Sequence, residues 1–371
     1  MELEDYLYNY FGYRTFRGKQ KELIEHLLKN HDLIVSIPTG AGKSLIFHLA
    51  GLLKSGITIV ITPLIALMID QVNQLKENNI RACAFYSSLS EDEKRKQMLN
   101  IDSYKFIYIT PERFNLDAFR EKLINVSLVV IDEAHTILWG KDFRKSFLQI
   151  GNNIQKIKKE VTVCAFSATL NYESLLFIKS VLKLKHPYLY YECPIKNNLV
   201  YHTINLSKYK LEKLLEKYTN KKVIIYTVTI KNTLNLYQQL KNKFNVLIYH
   251  GELEKDLKDR NQRQFKENLD SIMICTNSFG MGINEKNIRL IILYDIPLTL
   301  DDLLQQVGRA GRDNLKSDIV INVNEEKIKE IKNFIINNGI DVINKIKEFD
   351  KVIEFIYSYN KKKIIKKYYK Y

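Results

Sequence analysis

Cysteine, proline and glycine are all scarce in this 371-residue chain, at 4, 6 and 14 residues. The four cysteines, Cys83, Cys164, Cys193 and Cys275, lie far apart and form no Cys-x-x-Cys pair. That argues against a disulfide framework and against a cysteine-rich zinc site, so no zinc is expected. Long apolar runs are also missing. The longest, residues 57–69, is interrupted by Thr58, Thr62 and Pro63 and falls short of the ~18 residues that span a bilayer. The N-terminus opens on Glu2, Glu4 and Asp5, the wrong charge for a signal or transit peptide. The expectation is a cytoplasmic protein with no membrane partner.

What remains is ordinary material for packed cores: 46% hydrophobic and 27% charged residues. At roughly 150 residues per domain the length suits two to three domains. Lys and Arg number 57 against 42 Asp and Glu, a net charge of +15. Such an excess favours a polyanionic partner.

Apolar, β-branched runs at 33–37, 57–62, 106–109, 128–131 and 161–166 alternate with helical patterns, and a second series follows at 223–226, 246–249, 272–275 and 290–293. Buried strands alternating with helices predict α/β lobes with parallel sheets. The stretch 186–202, with Pro187 and Pro194, reads as a connection. The expected domains are 1–190, 191–325 and a helical basic tail at 326–371.

Six of the glycines fall into three clusters: Gly40 and Gly42, Gly280 and Gly282, Gly308 and Gly311. The first lies in Ile37-Pro38-Thr39-Gly40-Ala41-Gly42-Lys43-Ser44, between a strand pattern and a helix pattern. Strand, glycine-rich loop, Lys-Ser and helix make a P-loop. Its amides and helix N-terminus face phosphate oxygens, Lys43 meets the β/γ-phosphates and Ser44 binds Mg²⁺. The strict motif has glycine where Ile37 stands.

The apolar strand 128–131 ends in Asp132-Glu133-Ala134-His135. A carboxylate at a strand end beside a P-loop can hold Mg²⁺, directly or through water, and its neighbour can polarise the attacking water. Asp132 takes the metal role and Glu133 the base role. The second lobe has no P-loop but carries Gln305-Gln306-Val307-Gly308-Arg309-Ala310-Gly311-Arg312. Two arginines three apart on a helical turn would share a face, and arginine suits phosphate contact and phosphoryl transfer.

Together these motifs resemble the RecQ-like DNA helicases of superfamily 2. Residues 11–20, Phe-Gly-Tyr-Arg-Thr-Phe-Arg-Gly-Lys-Gln, resemble the family's adenine-recognition motif. Residues 62–72 resemble motif Ia, 108–113 motif Ib, 167–169 motif III, 276–284 motif V and 305–313 motif VI. The resemblance spans roughly residues 3–325 and implies two tandem RecA-like lobes with a short helical C-terminal segment. It implies ATP and Mg²⁺ as cofactors, with Tyr13 stacking on adenine and Arg17 and Gln20 completing the base site. Thr39, Gly40, Ala41, Gly42, Lys43 and Ser44 would cradle the phosphates. Arg312 would be the arginine finger and Arg309 a second γ-phosphate contact.

His135, Ser167, Thr169 and Gln305 would couple nucleotide to DNA. Thr62, Pro63, Thr110, Pro111 and Thr276 would line the DNA path with Trp139, Phe143 and Arg144 of an aromatic-rich loop, where stacking on bases needs no sequence preference. Leu138 and Lys141 depart from that loop's usual Gln and His.

The implied activity is ATP-dependent 3′–5′ movement on single-stranded DNA and duplex unwinding, in repair, recombination or replication. An RNA helicase of superfamily 2, or a nucleic-acid-binding scaffold with little unwinding, is the alternative. A monomer is expected. RecQ enzymes commonly continue into a four-cysteine zinc module, a winged helix and sometimes an HRDC domain. Here no cysteine follows Cys275, and Asn360 stands where the zinc module's first cysteine would be. The six lysines of residues 361–371 form a basic tail suited to phosphate contact.

Overall fold

The computed structural model describes residues 2–38, 40–141, 145–157, 160–168, 170–279, 285–338, 341–358, 361 and 367, with backbone alone at 139–141 and 338. The chain divides into two compact units, the first ending at Glu192 and the second beginning at Cys193.

The first unit is built on strands β1 (Leu33–Ser36), β2 (Ile57–Ile61), β3 (Ala82–Phe85), β4 (Phe106–Ile109), β5 (Val126–Ile131), β6 (Thr162–Ser167) and β7 (Tyr188–Tyr191). They lie in the order β3-β4-β2-β5-β6-β1-β7, and every pairing is parallel. Helices cover both faces, so the central strands are buried on both sides and read as continuous apolar runs. Alternation still sorts their side chains. On β5, Val129 and Ile131 enter one core while Leu128 and Val130 enter the other.

The second unit holds β8 (Leu199–Ile204), β9 (Lys222–Tyr226), β10 (Val246–Tyr249), β11 (Ile272–Cys275), β12 (Ile288–Leu293) and β13 (Ser317–Asn322). Its sheet, β10-β11-β9-β12-β13-β8, is also parallel throughout. Val223, Ile225, Ile274, Leu290 and Ile292 share one core with Leu211, Leu215, Leu236 and Leu240 from flanking helices. The expected α/β fold with two parallel sheets is therefore the observed one.

The stretch 186–202 is more than a connection. It supplies β7 to the edge of the first sheet and begins β8 at the edge of the second. Both are half-exposed edge strands. In β8 the apolar run is interrupted by His202 and Thr203, and β7 is the aromatic run Tyr188-Leu189-Tyr190-Tyr191 set between Pro187 and Pro194, which mask it. β3 and β13 are also missing from the expected strands: Ala82-Cys83-Ala84-Phe85 is apolar but has no β-branched residue, and β13 carries Ser317, Asp318 and Asn322.

Beyond β13, helices Glu325–Asn338 and Val342–Tyr357 follow. The second buries Phe349, Val352, Phe355 and Ile356 and packs on helices Glu325–Asn338 and Leu300–Val307. Two of the six tail lysines are described, and both are engaged. Lys361 Nζ donates to the carbonyls of Phe355 (2.8 Å), Ile356 (2.9 Å) and Ser358 (3.0 Å), capping the helix, and Lys367 pairs with Glu354 at 2.8 Å. No helix among the described residues is long and apolar enough to cross a membrane.

Candidate active site

In a parallel α/β sheet, ligands meet the carboxyl ends of the strands. In the first unit that edge gathers the expected chemistry. β6 lies between β1 and β5, so Ser167 at its end stands between the loop after β1 and the acidic turn after β5. The Ile37 N–H donates to the Ser167 carbonyl at 3.0 Å.

The loop after β1 needs its glycines. Gly40 and Gly42 have φ of +81° and +82°, where a side chain is strained. A Cβ on Gly42 would also lie 2.4 Å from Gln20 Nε2. Helix Lys43–Leu53 begins directly after it. Thr39 lies outside the described residues.

Gln20 is 4% exposed, and its amide grips this loop. Its Oε1 accepts the Arg17 N–H at 2.9 Å, and its Nε2 donates to the Ala41 carbonyl at 2.9 Å and the Gly42 carbonyl at 3.4 Å. Both sides of the expected base-reading amide are thus bonded to protein backbone. Tyr13 and Arg17, expected beside it, are exposed.

Asp132 is 3% exposed at the end of β5. Burial, and then the neighbouring Glu133 carboxylate, push its carboxyl up to about 6, against the pull of Lys43, the Glu133 N–H and the Gln71 amide. Glu133 takes φ +52°, a left-handed turn that costs a non-glycine residue about 1 kcal/mol or more. Its carbonyl is held by the Thr136 N–H (2.9 Å) and hydroxyl (2.8 Å), and its own N–H donates to Asp132 Oδ1 at 3.0 Å.

That turn aims the Glu133 carboxylate along the edge. Its Oε1 accepts from Lys43 Nζ at 3.2 Å, and its Oε2 lies 3.4 Å from His135 Nδ1. His135 Nδ1 is also 3.0 Å from Ser167 Oγ. Lys43, Glu133, His135 and Ser167 therefore form one continuous chain of contacts.

Gln71 belongs to this site, although the sequence singled it out only as part of a motif. It is 6% exposed on helix Ile65–Glu77, and its Nε2 donates to Ser44 Oγ at 3.0 Å. The same amide bonds Asp132. Its Oε1 is buried and has no partner among the described residues. Ser44 hydroxyl and Asp132 carboxylate, joined through one amide, form a hard-oxygen donor pair. With a buried carboxyl held above its usual range, this set fits Mg²⁺.

Thr62 and Thr110 end the adjacent strands β2 and β4 on the same edge, and the Thr62 N–H donates to the Ile109 carbonyl at 3.1 Å. Both threonines and the prolines after them, Pro63 and Pro111, are buried. Trp139 is described by its backbone only; Phe143, Arg144 and Thr169 lie outside the described residues, as do 280–284 of motif V. Thr276 is half-buried at the end of β11, its hydroxyl 2.9 Å from Ser278 Oγ.

In the second unit, helix Leu300–Val307 carries Gln305, half-buried. The helix stops there, so the arginines do not ride a helical turn as the sequence suggested. Arg309 and Arg312 lie in turns after it, where Gly311 takes φ +55°. Arg309 bonds the buried Tyr226 hydroxyl, and Lys196 lies beside both arginines. Arg289 pairs with Asp313. Gln306, 6% exposed, bonds Asn277 of the motif V loop, and Asn277 donates to Asp302 Oδ1 at 2.8 Å. Sequence reading missed Gln306 and Lys196; the first lies beside a residue chosen from the motif, and the second in the apparent connection.

Family models match this chain as a DEAD/DEAH box helicase over residues 17–177 and as a helicase conserved C-terminal domain over 207–314. The ATP-dependent DNA helicase RecQ of Synechocystis sp. is 33% identical over 341 residues, covering 87% of this chain and 71% of its own length. RecQ of Bacillus subtilis is 35% identical over 325 residues, covering 85% of this chain and 55% of its own. Among solved structures, S. cerevisiae Dbp5 bound to RNA and ADP BeF3 matches at a TM-score of 0.70 and 20% identity, over 95% of this chain and 97% of that one. That likeness shows the fold, two RecA-like sheets. With the motifs in order along both sheets and RecQ relatives matched across most of the chain, this protein belongs to the RecQ-like DEAD/DEAH box helicases.

Proposed function

We propose that the chain is an ATP-dependent 3′–5′ DNA helicase or translocase, with residues 1–190 binding ATP, 191–325 supplying the arginines and 326–371 buttressing the second lobe. The observation that carries this reading is the contact chain Lys43–Glu133–His135–Ser167 on one sheet edge, beside the buried Asp132, Gln71 and Ser44. It joins a phosphate-binding lysine to a base and then to a residue suited to report DNA.

On this reading Lys43 leaves Glu133 for the β/γ-phosphates, which frees the Glu133 carboxylate to take the proton of the attacking water. Ser44 and Asp132 would hold Mg²⁺, which when bound offsets charge on the phosphates. Gln20 holds the loop in shape, and Tyr13 and Arg17 close on the adenine. Arg309 and Arg312 stabilise charge developing on the transferred phosphoryl group. His135 and Ser167, with Gln305 in the second lobe, relay DNA occupancy to the base. DNA is favoured over RNA because RecQ relatives from Synechocystis sp. and Bacillus subtilis are named as DNA helicases, although a mimivirus relative 33% identical over 323 residues is named a putative RNA helicase.

A strand-displacement assay tests the reading. Duplexes with 3′ or 5′ single-stranded tails, in DNA and in RNA, are given ATP and Mg²⁺. The 3′-tailed DNA duplex should open; preference for the 5′ tail or for RNA would overturn the assigned polarity or substrate. Opening of neither, with intact DNA-stimulated ATPase, would leave a translocase without unwinding.

A further inference from the structure

Four carbonyls of the loop that carries Arg309 and Arg312 are tied down by residues just before β8. Lys196 Nζ donates to the Gly308 carbonyl at 2.9 Å and to the Ala310 carbonyl at 3.2 Å. Asn198 Nδ2 donates to the Gly311 carbonyl at 2.9 Å and to the Leu315 carbonyl at 2.8 Å. A Cβ on Gly311 would lie 2.3 Å from that same Nδ2, so the asparagine grips the loop at its closest approach. Arg289 holds the far end, pairing with Asp313 and donating to Ser317 Oγ at 2.9 Å.

The choice of lysine at 196 is electrostatically costly. Burial first, and then Arg312 and Arg309, push its ammonium down to about 8; Asp313 opposes them, and that carboxylate also pairs with Arg289. An uncharged amide donates to two carbonyls equally well, as Asn198 shows on the next turn. Holding the loop therefore does not by itself account for a positive charge. An anion arriving at the two arginines does, because it turns the local repulsion into attraction.

We propose that Lys196 is the positioning residue of the arginine loop, fixing the backbone on either side of Arg309 and adding a third positive charge behind Arg309 and Arg312 for an incoming phosphate oxyanion. This rests on the reading that those arginines act on the terminal phosphate of ATP. Lys196 itself bonds only the loop backbone; it works through the arginines.

The full-length chain tests this through DNA-stimulated ATP hydrolysis by the wild type, Lys196→Met, Lys196→Arg and Arg312→Ala. Lys196→Met should lower kcat by roughly 10–100-fold with the KM for ATP held within about 3-fold, and Lys196→Arg should recover kcat to within about 3-fold. A second readout separates charge from shape. Wild-type kcat/KM should fall as pH rises through about 8, where the ammonium is lost, and Lys196→Arg should remain flat there.

Among the described residues, the charged groups acting on Lys196 are Arg312, Arg309 and Asp313, with Tyr226 bonded by Arg309. Burial pushes Tyr226 above this range.

Wild-type kcat in Lys196→Met overturns the proposal, as does a Lys196→Arg enzyme as slow as Lys196→Met. Should Lys196→Met fail to fold, the pH profiles decide, since a limb near 8 that persists in Lys196→Arg contradicts the proposal. Normal turnover in Arg312→Ala would sink the underlying reading of the arginines. Slow Arg312→Ala beside normal Lys196→Met would sink only the role of Lys196.

Discussion

The two units handle charge in opposite ways. In the first, the key cation is already neutralised: Lys43 sits on Glu133, and Glu133 sits against His135. In the second, Lys196 stands beside Arg309 and Arg312, and the Asp313 carboxylate that attracts it also pairs with Arg289. On the proposed reading, a phosphate entering the first site exchanges partners, releasing a base as it takes the lysine. On the same reading, a phosphate entering the second meets three neighbouring cations; burial and then their mutual repulsion lower the Lys196 ammonium. If the proposed roles hold, the difference teaches that one site is arranged to switch on when ligand binds, and the other to stabilise charge that appears later.

The largest break in this comparison comes from Lys43→Ala. It removes the phosphate contact and strands Glu133 without its cation, so ATP turnover should drop by roughly 10³-fold or more, with ATP binding weakened as well. Nucleotide titration beside steady-state hydrolysis checks both losses.

Gly42→Ala should come next. Its Cβ would strike Gln20 Nε2 and its φ of +82° would be strained, so the P-loop must shift. ATP affinity should weaken by about 10-fold or more, a change worth roughly 1.4 kcal/mol. Adding Gln20→Ala relieves the collision but not the backbone strain, so the double variant should recover only part of the loss.

A smaller effect is expected at the link between motif V and motif VI. Gln306→Ala breaks the contact to Asn277, and the DNA concentration for half-maximal ATPase stimulation should rise by about 3–10-fold, the cost of about one lost hydrogen bond. An unchanged stimulation curve would remove Gln306 from the coupling path.

The smallest effect concerns pH and the metal. The Asp132 carboxyl is raised from 3.8 to about 6 in the folded protein. Between those values the folded state holds a proton that the unfolded state has lost, so stability falls as pH rises through that window and stays reduced above it. Asp132→Asn should therefore raise the metal-free Tm at neutral pH by a few degrees and flatten its fall between about pH 4 and 6. Mg²⁺ with nucleotide should stabilise the wild type more than the variant. Parallel melting curves in EDTA and in Mg²⁺ supply the comparison.

The central strands were legible because burial on both faces leaves apolar runs such as 128–131 and 290–293. β7 and β8 were not, because their proline-bearing surroundings read as a connection; the edge strand β10 was, since it kept the run 246–249. The P-loop and the acidic turn could be read because phosphate and metal chemistry demands particular residues at fixed spacing. Gln71 and Lys196 carried no such signal. Each acts through hydrogen bonds that close only when distant segments meet: 27 residues from Ser44 in one case, and 112 residues from Gly308 in the other. The arginine turn was misread as helix because Gly308 and Gly311 end it, and glycine alone does not say where a helix stops.

The most direct test of the divided labour is Arg312→Ala, with ATP binding and DNA-stimulated hydrolysis measured on one preparation. The account predicts ATP affinity close to wild type and turnover lower by about 10³-fold or more. Turnover equal to wild type, or loss of ATP binding in step with loss of turnover, would contradict it.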